Sequence, residues 1–439
     1  MNKIKKILAR VLRCPSLPLY IMAILVAVAH LLLSNLFSDD VWFFNVLEGK
    51  ENIGAAWREF LAFRYENWSS RTAIEGALIL LVRAPFVWKM VDSVAIIYII
   101  FELSRLTNPE KSLVKNIIIA LLVPVYPLWI LYEVGFVATS INYIIPFACL
   151  VPTLSIIFRR AQKREIPLFE YILAVPFLAF ALFSEINCAI LLVVSISGAI
   201  LFVLEKKGVP YFELLALALC AILLVYHLEA PGNDFRYAQE TATWLPEHSS
   251  LGIVGKALLG FSAMSATMFF YKYNILVCVF CSAITLATFL KTRKWYFRAL
   301  SCIATTFSLI FGFLSPILNK IPFISKAHGA MLAALHTTVP NAGSVAIDIL
   351  TLALLASILV CMFIIIENKR QYFMLLFTLA TGAISKIALG LSPTVWTGSG
   401  RASTYLYLAI SIATGAVIYQ IYLNFCKRKK GLEQVSATE

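Results

Sequence analysis

The sequence predicts an all-α fold, a polytopic helical membrane protein. Three observations carry that expectation. Apolar runs recur along the chain, each close to the ~20 residues that cross a hydrocarbon core as a helix. Composition is 60% hydrophobic against 14% charged, with a mean hydropathy of +0.84. The basic residues, which give a formal net charge of +13, fall in short clusters between the runs, the pattern that orients membrane helices. The length is taken up by spans, so the reading is a single membrane domain over residues 1–439. Nucleic-acid binding has neither a motif nor one basic patch to support it.

Lys3, Lys5, Lys6, Arg10 and Arg13 precede the first apolar run. A secretory signal would be cleaved near Ala27-Val28-Ala29, but Leu31 to Phe37 prolong the run, so an uncleaved anchor is expected. The first span, about Leu17 to Phe37, then delivers Asp39 and Asp40 to the outer face. An outer loop over 38–71 follows, with aromatic residues suited to the interface. Thr72 to Val82 is short and broken by Arg83-Ala84-Pro85, so it reads as an outer-face helix or a lead into the span Val87 to Leu103. The chain next crosses near Asn116 to Tyr132, exits at Glu133, and returns from Asn142-Tyr143 to Arg159-Arg160. A hairpin rises to Ser184-Glu185-Ile186-Asn187 and descends to Lys206-Lys207. Tyr211 to Leu228 opens into the polar outer loop 229–250.

Parity constrains the rest. Ile275 to Leu290 must end inside, because Lys291, Arg293, Lys294 and Arg298 follow. Leu251 to Tyr271 is therefore expected not to cross. Its Gly and Ser content and Lys256 suit a re-entrant or surface helix that lines a cavity. Two outer loops remain, 319–344 and 392–401. The total is about twelve transmembrane helices plus one or two outer-face or re-entrant helices, with both termini cytoplasmic. Most of the nine cysteines lie inside apolar runs, and Cys278 with Cys281 reads as buried filler rather than a redox or metal pair.

Under this topology the outer side collects Asp39, Asp40, Trp68, Arg71, Glu133, Asn142, Tyr143, Glu185, Asn187, Asn233, Arg236, Lys272 and Arg401. Singly, each has a bland reading. Ser184 to Asn187 could be a solvated hairpin apex, and Pro231-Gly232-Asn233 a turn. His328 and His336 lack the spacing of metal ligands, and no metal site is assigned. Jointly they are expensive at the rim of a helical bundle unless they face one another or a wet cavity. A cleft with both signs of charge suits a lipid-borne phosphate: an apolar groove for the tail, cations for the phosphate, a carboxylate for acid–base work. Arg is the best phosphate partner, since its planar fork donates parallel hydrogen bonds.

The combination resembles the GT-C superfamily of membrane glycosyltransferases, and within it the bacterial Gtr-type enzymes that use polyprenyl-phosphate sugars. Five places carry the resemblance: Asp39-Asp40 after the first span; Trp68-Ser69-Ser70-Arg71; Asn142-Tyr143-Ile144-Ile145-Pro146; Ser184-Glu185; and Pro231-Gly232-Asn233 with Arg236. It implies inverting transfer from a polyprenyl-phosphate sugar to a glycan or glycolipid acceptor at the extracytoplasmic face of the bacterial cell membrane. Asp39 or Asp40 would be the base, the sequence leaving the two undecided. Arg71, Arg236, Arg401 and Lys272 would bind the donor phosphate; Trp68, Glu133, Asn142, Tyr143, Glu185, Asn187 and Asn233 would bind substrate. No cofactor is required, although the Asp pair could take Mg²⁺ or Mn²⁺. A small flippase and a carrier-charging glycosyltransferase are the further partners implied. Three alternatives stay open: a transporter or flippase of lipid-linked saccharides, a polysaccharide polymerase or ligase, and an acyltransferase using His227, His248, His328 or His336.

Overall fold

The computed structural model describes residues 14–33, 36–127, 134–205, 208–398 and 400–436. Every regular element among them is helical. Among the described residues, eight helices are long and apolar enough to cross a membrane. Five shorter apolar helices accompany them, among them α1 (Leu17–Leu32). Helix α5 (Pro85–Thr107) has the length as well, but carries Lys89, Asp92 and Glu102 along its apolar course.

The expected outer loops are themselves largely helical. Residues 38–71 contain α2 (Asp39–Asn45) and α3 (Ile53–Asn67) before α4 (Thr72–Leu81). The Asn52 side chain caps α3 by accepting the Ala55 N–H at 2.9 Å. After α6 (Leu113–Leu122) come α7 (Phe136–Ala161), α8 (Leu168–Ala181), α9 (Glu185–Leu204) and α10 (Tyr211–Leu228). The Pro231-Gly232-Asn233 segment, expected as a turn, is instead the first turn of α11 (Pro231–Trp244). Proline is well suited there, because its missing N–H would have no intrahelical partner in any case.

Contacts group the chain into two compact units: residues up to 120 with 128–240, and 121–127 with 241–439. In the first unit, Phe43 of α2, Leu47 in the turn that follows it, Ile74 and Leu78 of α4, and Val137 and Ile141 of α7 form one buried cluster. At another place in that unit, Arg105 forks onto Glu170 (3.1 and 2.6 Å) and Arg159 also pairs with Glu170. Arg160 meets Glu213 at 3.3 Å, and Arg164 donates to the Arg105 carbonyl at 2.8 Å. The basic clusters around 105 and 159–164 thus lie together.

The second unit holds α12 (Ile253–Phe270), α13 (Ile275–Lys291), α14 (Trp295–Phe313), α15 (Pro322–Leu335), α16 (Ala342–Ile365), α17 (Lys369–Leu391) and α18 (Thr404–Ser436). Contrary to the expectation for Leu251 to Tyr271, α12 has the length and apolarity of a span. Glu367 takes Lys291 at 2.5 Å and Lys427 at 3.0 Å, which gathers three segments expected inside. Those two ammonium groups hold the exposed Glu367 carboxyl down at about 2. Solvent-exposed pairs of this kind add little stability. Cys278 and Cys281 are buried in α13.

Candidate functional site

The first unit builds a polar site around the Trp68-to-Arg71 connection between α3 and α4. The N–H groups of Trp68 and Ser69 both bond the Arg64 carbonyl (2.8 and 2.7 Å), which ends α3. The Arg64 side chain forks onto Glu75 of α4, Nε to Oε2 at 2.5 Å and Nη2 to Oε1 at 2.8 Å. Both partners are buried. The same guanidinium lies over the rings of Trp42 (5.6 Å) and Trp68 (5.4 Å), so one cation ties α2, α3 and α4 together.

The first turn of α11 docks on this connection. A Cβ at Gly232 would collide with the Trp68 nitrogen and lie 2.8 Å from the Ser69 nitrogen. Asn233 donates to the Ser70 hydroxyl (3.1 Å) and the His227 carbonyl (2.7 Å). His227 Nε2 faces the Leu182 carbonyl at 2.9 Å, so the proton sits on Nε2, and Nδ1 accepts from the Ser70 hydroxyl at 2.7 Å. Ser70 and His227 have the look of a nucleophile and its base. Ser70 is fully buried, however, and its hydroxyl is engaged on both sides, so the pair braces the junction. Gly232→Ala should cost about 1–3 kcal/mol, the usual range for overpacking, because backbone rather than a flexible side chain must yield. Thermal unfolding in detergent reads it.

Arg71 Nε donates to Glu185 Oε2 at 2.7 Å, with both side chains partly open to solvent. Burial opposes the Arg71 charge, but Glu185 and then Tyr143 outweigh it and hold the guanidinium firmly protonated. Arg236 donates to Glu240 at 2.9 Å, lies 5.8 Å from the Trp68 ring centre, and is within electrostatic reach of Glu185. Tyr143 and Asn142 belong to a π-helical turn of α7, Ser140–Ile144. Asn142 donates back to the Ala138 carbonyl at 2.8 Å. Such turns are rare and concentrate at functional sites. Beneath it, Ser140 donates to Asp92 Oδ1 (2.5 Å), whose Oδ2 meets His30 Nε2 (2.7 Å), while His30 Nδ1 faces the Val26 carbonyl (2.8 Å). Both ring nitrogens face oxygens, so one proton lies between His30 and Asp92.

The two candidate bases differ in their surroundings. Asp40 is fully buried, its Oδ1 accepts the Ala138 N–H at 2.8 Å, and it fills the space a side chain at Gly135 (φ +133°) would need. It therefore caps the start of α7. Burial pushes the Asp40 carboxyl up from the ordinary range, against the Ala138, Val137 and Phe136 N–H groups that favour its charge. Asp39 is only partly buried, and its N–H bonds the Val134 carbonyl at 2.8 Å.

A raised carboxyl favours the protonated folded state. Its stability contribution is present below the unfolded value near ~3.9 and is lost as pH climbs through the folded value. The stability of the wild type, measured against Asp40→Asn by thermal unfolding, should fall as pH rises from about 4. A parallel pair of curves would show that Asp40 is unperturbed.

Of the residues expected at the site, Trp68, Arg71, Tyr143, Glu185, Asn233 and Arg236 form one linked set. Trp42, on the helix that carries Asp39 and Asp40, joins it through Arg64. Asn187 is fully buried and bonds the Ala181 carbonyl at 2.9 Å, closing the α8–α9 hairpin. Lys272 and Arg401 belong to the second unit, Lys272 exposed after α12 and Arg401 opening the turn before α18. Glu133 lies outside the described residues. Sequence reasoning missed Arg64, Glu75, His30 and Asp92. Carboxylates at 75 and 92, inside otherwise apolar runs, were the available signal. Among the described residues, no three His, Cys, Asp or Glu side chains group as metal ligands.

The arrangement offers fixed guanidinium groups beside an aromatic ring and carboxylates of unequal accessibility, a set able to hold a phosphate and accept a proton. Compared with protein-family models, curated proteins and solved structures, the chain matches none.

Proposed function

We propose that this chain is an inverting glycosyltransferase of the GT-C kind, moving a sugar from a polyprenyl phosphate to a cell-surface glycan or glycolipid. The observation that supports it most is the linkage of four sequence-distant places in one unit: Trp68 to Arg71, Tyr143, Glu185, and Asn233 with Arg236. Asp39, the more accessible carboxylate, takes the proton from the acceptor hydroxyl as its oxygen attacks the anomeric carbon. The bond from that carbon to the phosphate oxygen breaks, and polyprenyl phosphate leaves with the bonding electrons. Arg71 and Arg236 stabilise the charge that grows on the departing phosphate. No metal enters this scheme.

The topology we infer has about twelve crossings, both termini in the cytoplasm of a bacterial cell, and the site on the outer face. Helix α12 is then a protein-surrounded helix that returns to the outer side, which keeps Lys291 to Arg298 inside.

A lipid-linked saccharide transporter is the second reading. It is favoured by buried charges within apolar helices: Asp348, bonded to Ser262 (2.7 Å) and Ser265 (3.2 Å), and the fully buried Lys386. Purified protein in vesicles, given radiolabelled polyprenyl-phosphate hexoses and an acceptor oligosaccharide, separates the two. Label on the acceptor supports the enzyme; label that crosses the vesicle without reaching the acceptor sinks it.

A further inference from the structure

Two helices of the second unit end alike. The carbonyls that close α13 take guanidinium groups from outside the helix: Arg298 donates to Phe289 (3.2 Å) and Thr292 (2.9 Å), and Arg428 to Leu290 (2.8 Å). At the end of α16, the Lys369 ammonium donates to the carbonyls of Phe363 (2.5 Å) and Ile366 (3.3 Å). Cations placed there satisfy the last carbonyls of a helix and complement its dipole. Glu367 joins the two ends, since Lys291 of α13 and Lys427 of α18 both pair with it.

The same bonds hold a cation over an exposed ring at each end. The Arg298 guanidinium lies 4.9 Å from the centre of the Phe289 ring, and the Lys369 ammonium 3.7 Å from that of Phe363. Both rings are exposed, as are Leu286, one turn before Phe289, and Phe425, just before Lys427. Trp295, which opens α14, is 77% exposed, and Tyr296 beside it is exposed as well. Rings of these two kinds prefer the headgroup level of a bilayer.

Charge here is lopsided. Over 286–300, 361–373 and 420–428 the sequence has eight Lys and Arg side chains against one carboxylate, Glu367. Setting the direction of the helices calls for net positive charge at one end, but not for cations bonded into place above apolar rings. A free phosphate would answer the charge and leave the rings bare. A zwitterionic lipid would cover the rings but bring an ammonium that the surplus positive charge repels. An anionic phospholipid answers both, and because the cations are already held, less side-chain freedom is lost when it binds. We propose that this end of the second unit is a binding site for an anionic phospholipid, its phosphate beside Arg298 and Lys369 and its acyl chains over Phe289 and Phe363.

The site stands apart from the transfer chemistry, so its test does not need activity. Full-length protein in detergent is titrated with phosphatidylglycerol, with phosphatidylcholine of the same acyl chains, and with glycerol 3-phosphate, and native mass spectrometry counts what stays bound. Phosphatidylglycerol should bind about tenfold more tightly than phosphatidylcholine, and glycerol 3-phosphate at equal concentration should not displace it. Arg298→Gln with Lys369→Gln should abolish the preference. Phe289→Ala with Phe363→Ala keeps every charge and should weaken phosphatidylglycerol binding even if the first pair folds poorly. Lys320→Gln, which removes one exposed charge elsewhere in the unit, should change nothing. The proposal is overturned if the two lipids bind equally or neither binds, or if glycerol 3-phosphate competes. It is equally overturned if binding survives both double substitutions, or if Lys320→Gln weakens it as much as they do.

Discussion

On the transferase reading, Asp39→Asn lowers sugar transfer by about 10²–10⁴-fold, the range that a positioned general base contributes. Yield and thermal stability should be unchanged, because Asn keeps the volume and can still occupy a helix N-terminus. A hydroxyl is a feeble nucleophile at neutral pH, so without a base the attack on the anomeric carbon must wait for water. Asp40→Asn should behave otherwise. Its carboxylate is buried on the start of α7, with one oxygen bonded to the Ala138 N–H, so substitution should alter the pH dependence of stability more than transfer. Transfer assays on the two purified variants decide it. Wild-type rates in Asp39→Asn, with loss confined to Asp40→Asn, would reverse the assignment.

Glu75→Leu should destabilise the protein by about 3–5 kcal/mol, the cost of breaking a buried ion pair on one side only. Arg64 sits 9% exposed with its fork on Glu75. A guanidinium cannot shed its proton to escape the loss, since its pKa stays above ~12. Its remaining neighbours are the faces of Trp42, Phe60 and Trp68, which attract a cation but offer no anionic oxygen. The double change Arg64→Met with Glu75→Leu should recover most of the deficit, because no uncompensated charge then remains. Thermal unfolding of the three variants in one detergent measures this. A double variant as unstable as Glu75→Leu alone would mean that packing, not charge, holds the junction.

The helical membrane class was plain in the sequence because it depends on run length and hydrophobicity, which are local properties. The end shared by Arg105, Arg159 and Arg160 was also legible, since positive charge marks one side regardless of its partners. Their acidic partners were not: Glu170 and Glu213 belong to helix starts whose pairing depends on three-dimensional packing. Pro231-Gly232-Asn233 misled for a definite reason. Turn composition and the first turn of a helix draw on the same residues, and Gly232 is small here because backbone passes over it, not because the chain reverses. The residues of the polar site could be named one by one, but only the fold reveals that Arg64 rather than Arg71 is the structural hub. Asp39 and Asp40 are neighbours in sequence, and only the helix turn sends one into the start of α7 while leaving the other accessible.

The widened turn at Ser140–Ile144 also sets an angular offset. An α-helix advances about 100° per residue, so deleting one residue there would restore regular winding and swing everything beyond Ile145 through that angle. Ser155, which bonds Glu102, and Arg159, which pairs with Glu170, would be carried away from their partners at the far end of the same rod. A single inserted amino acid thus keeps two remote polar assemblies in phase along one helix.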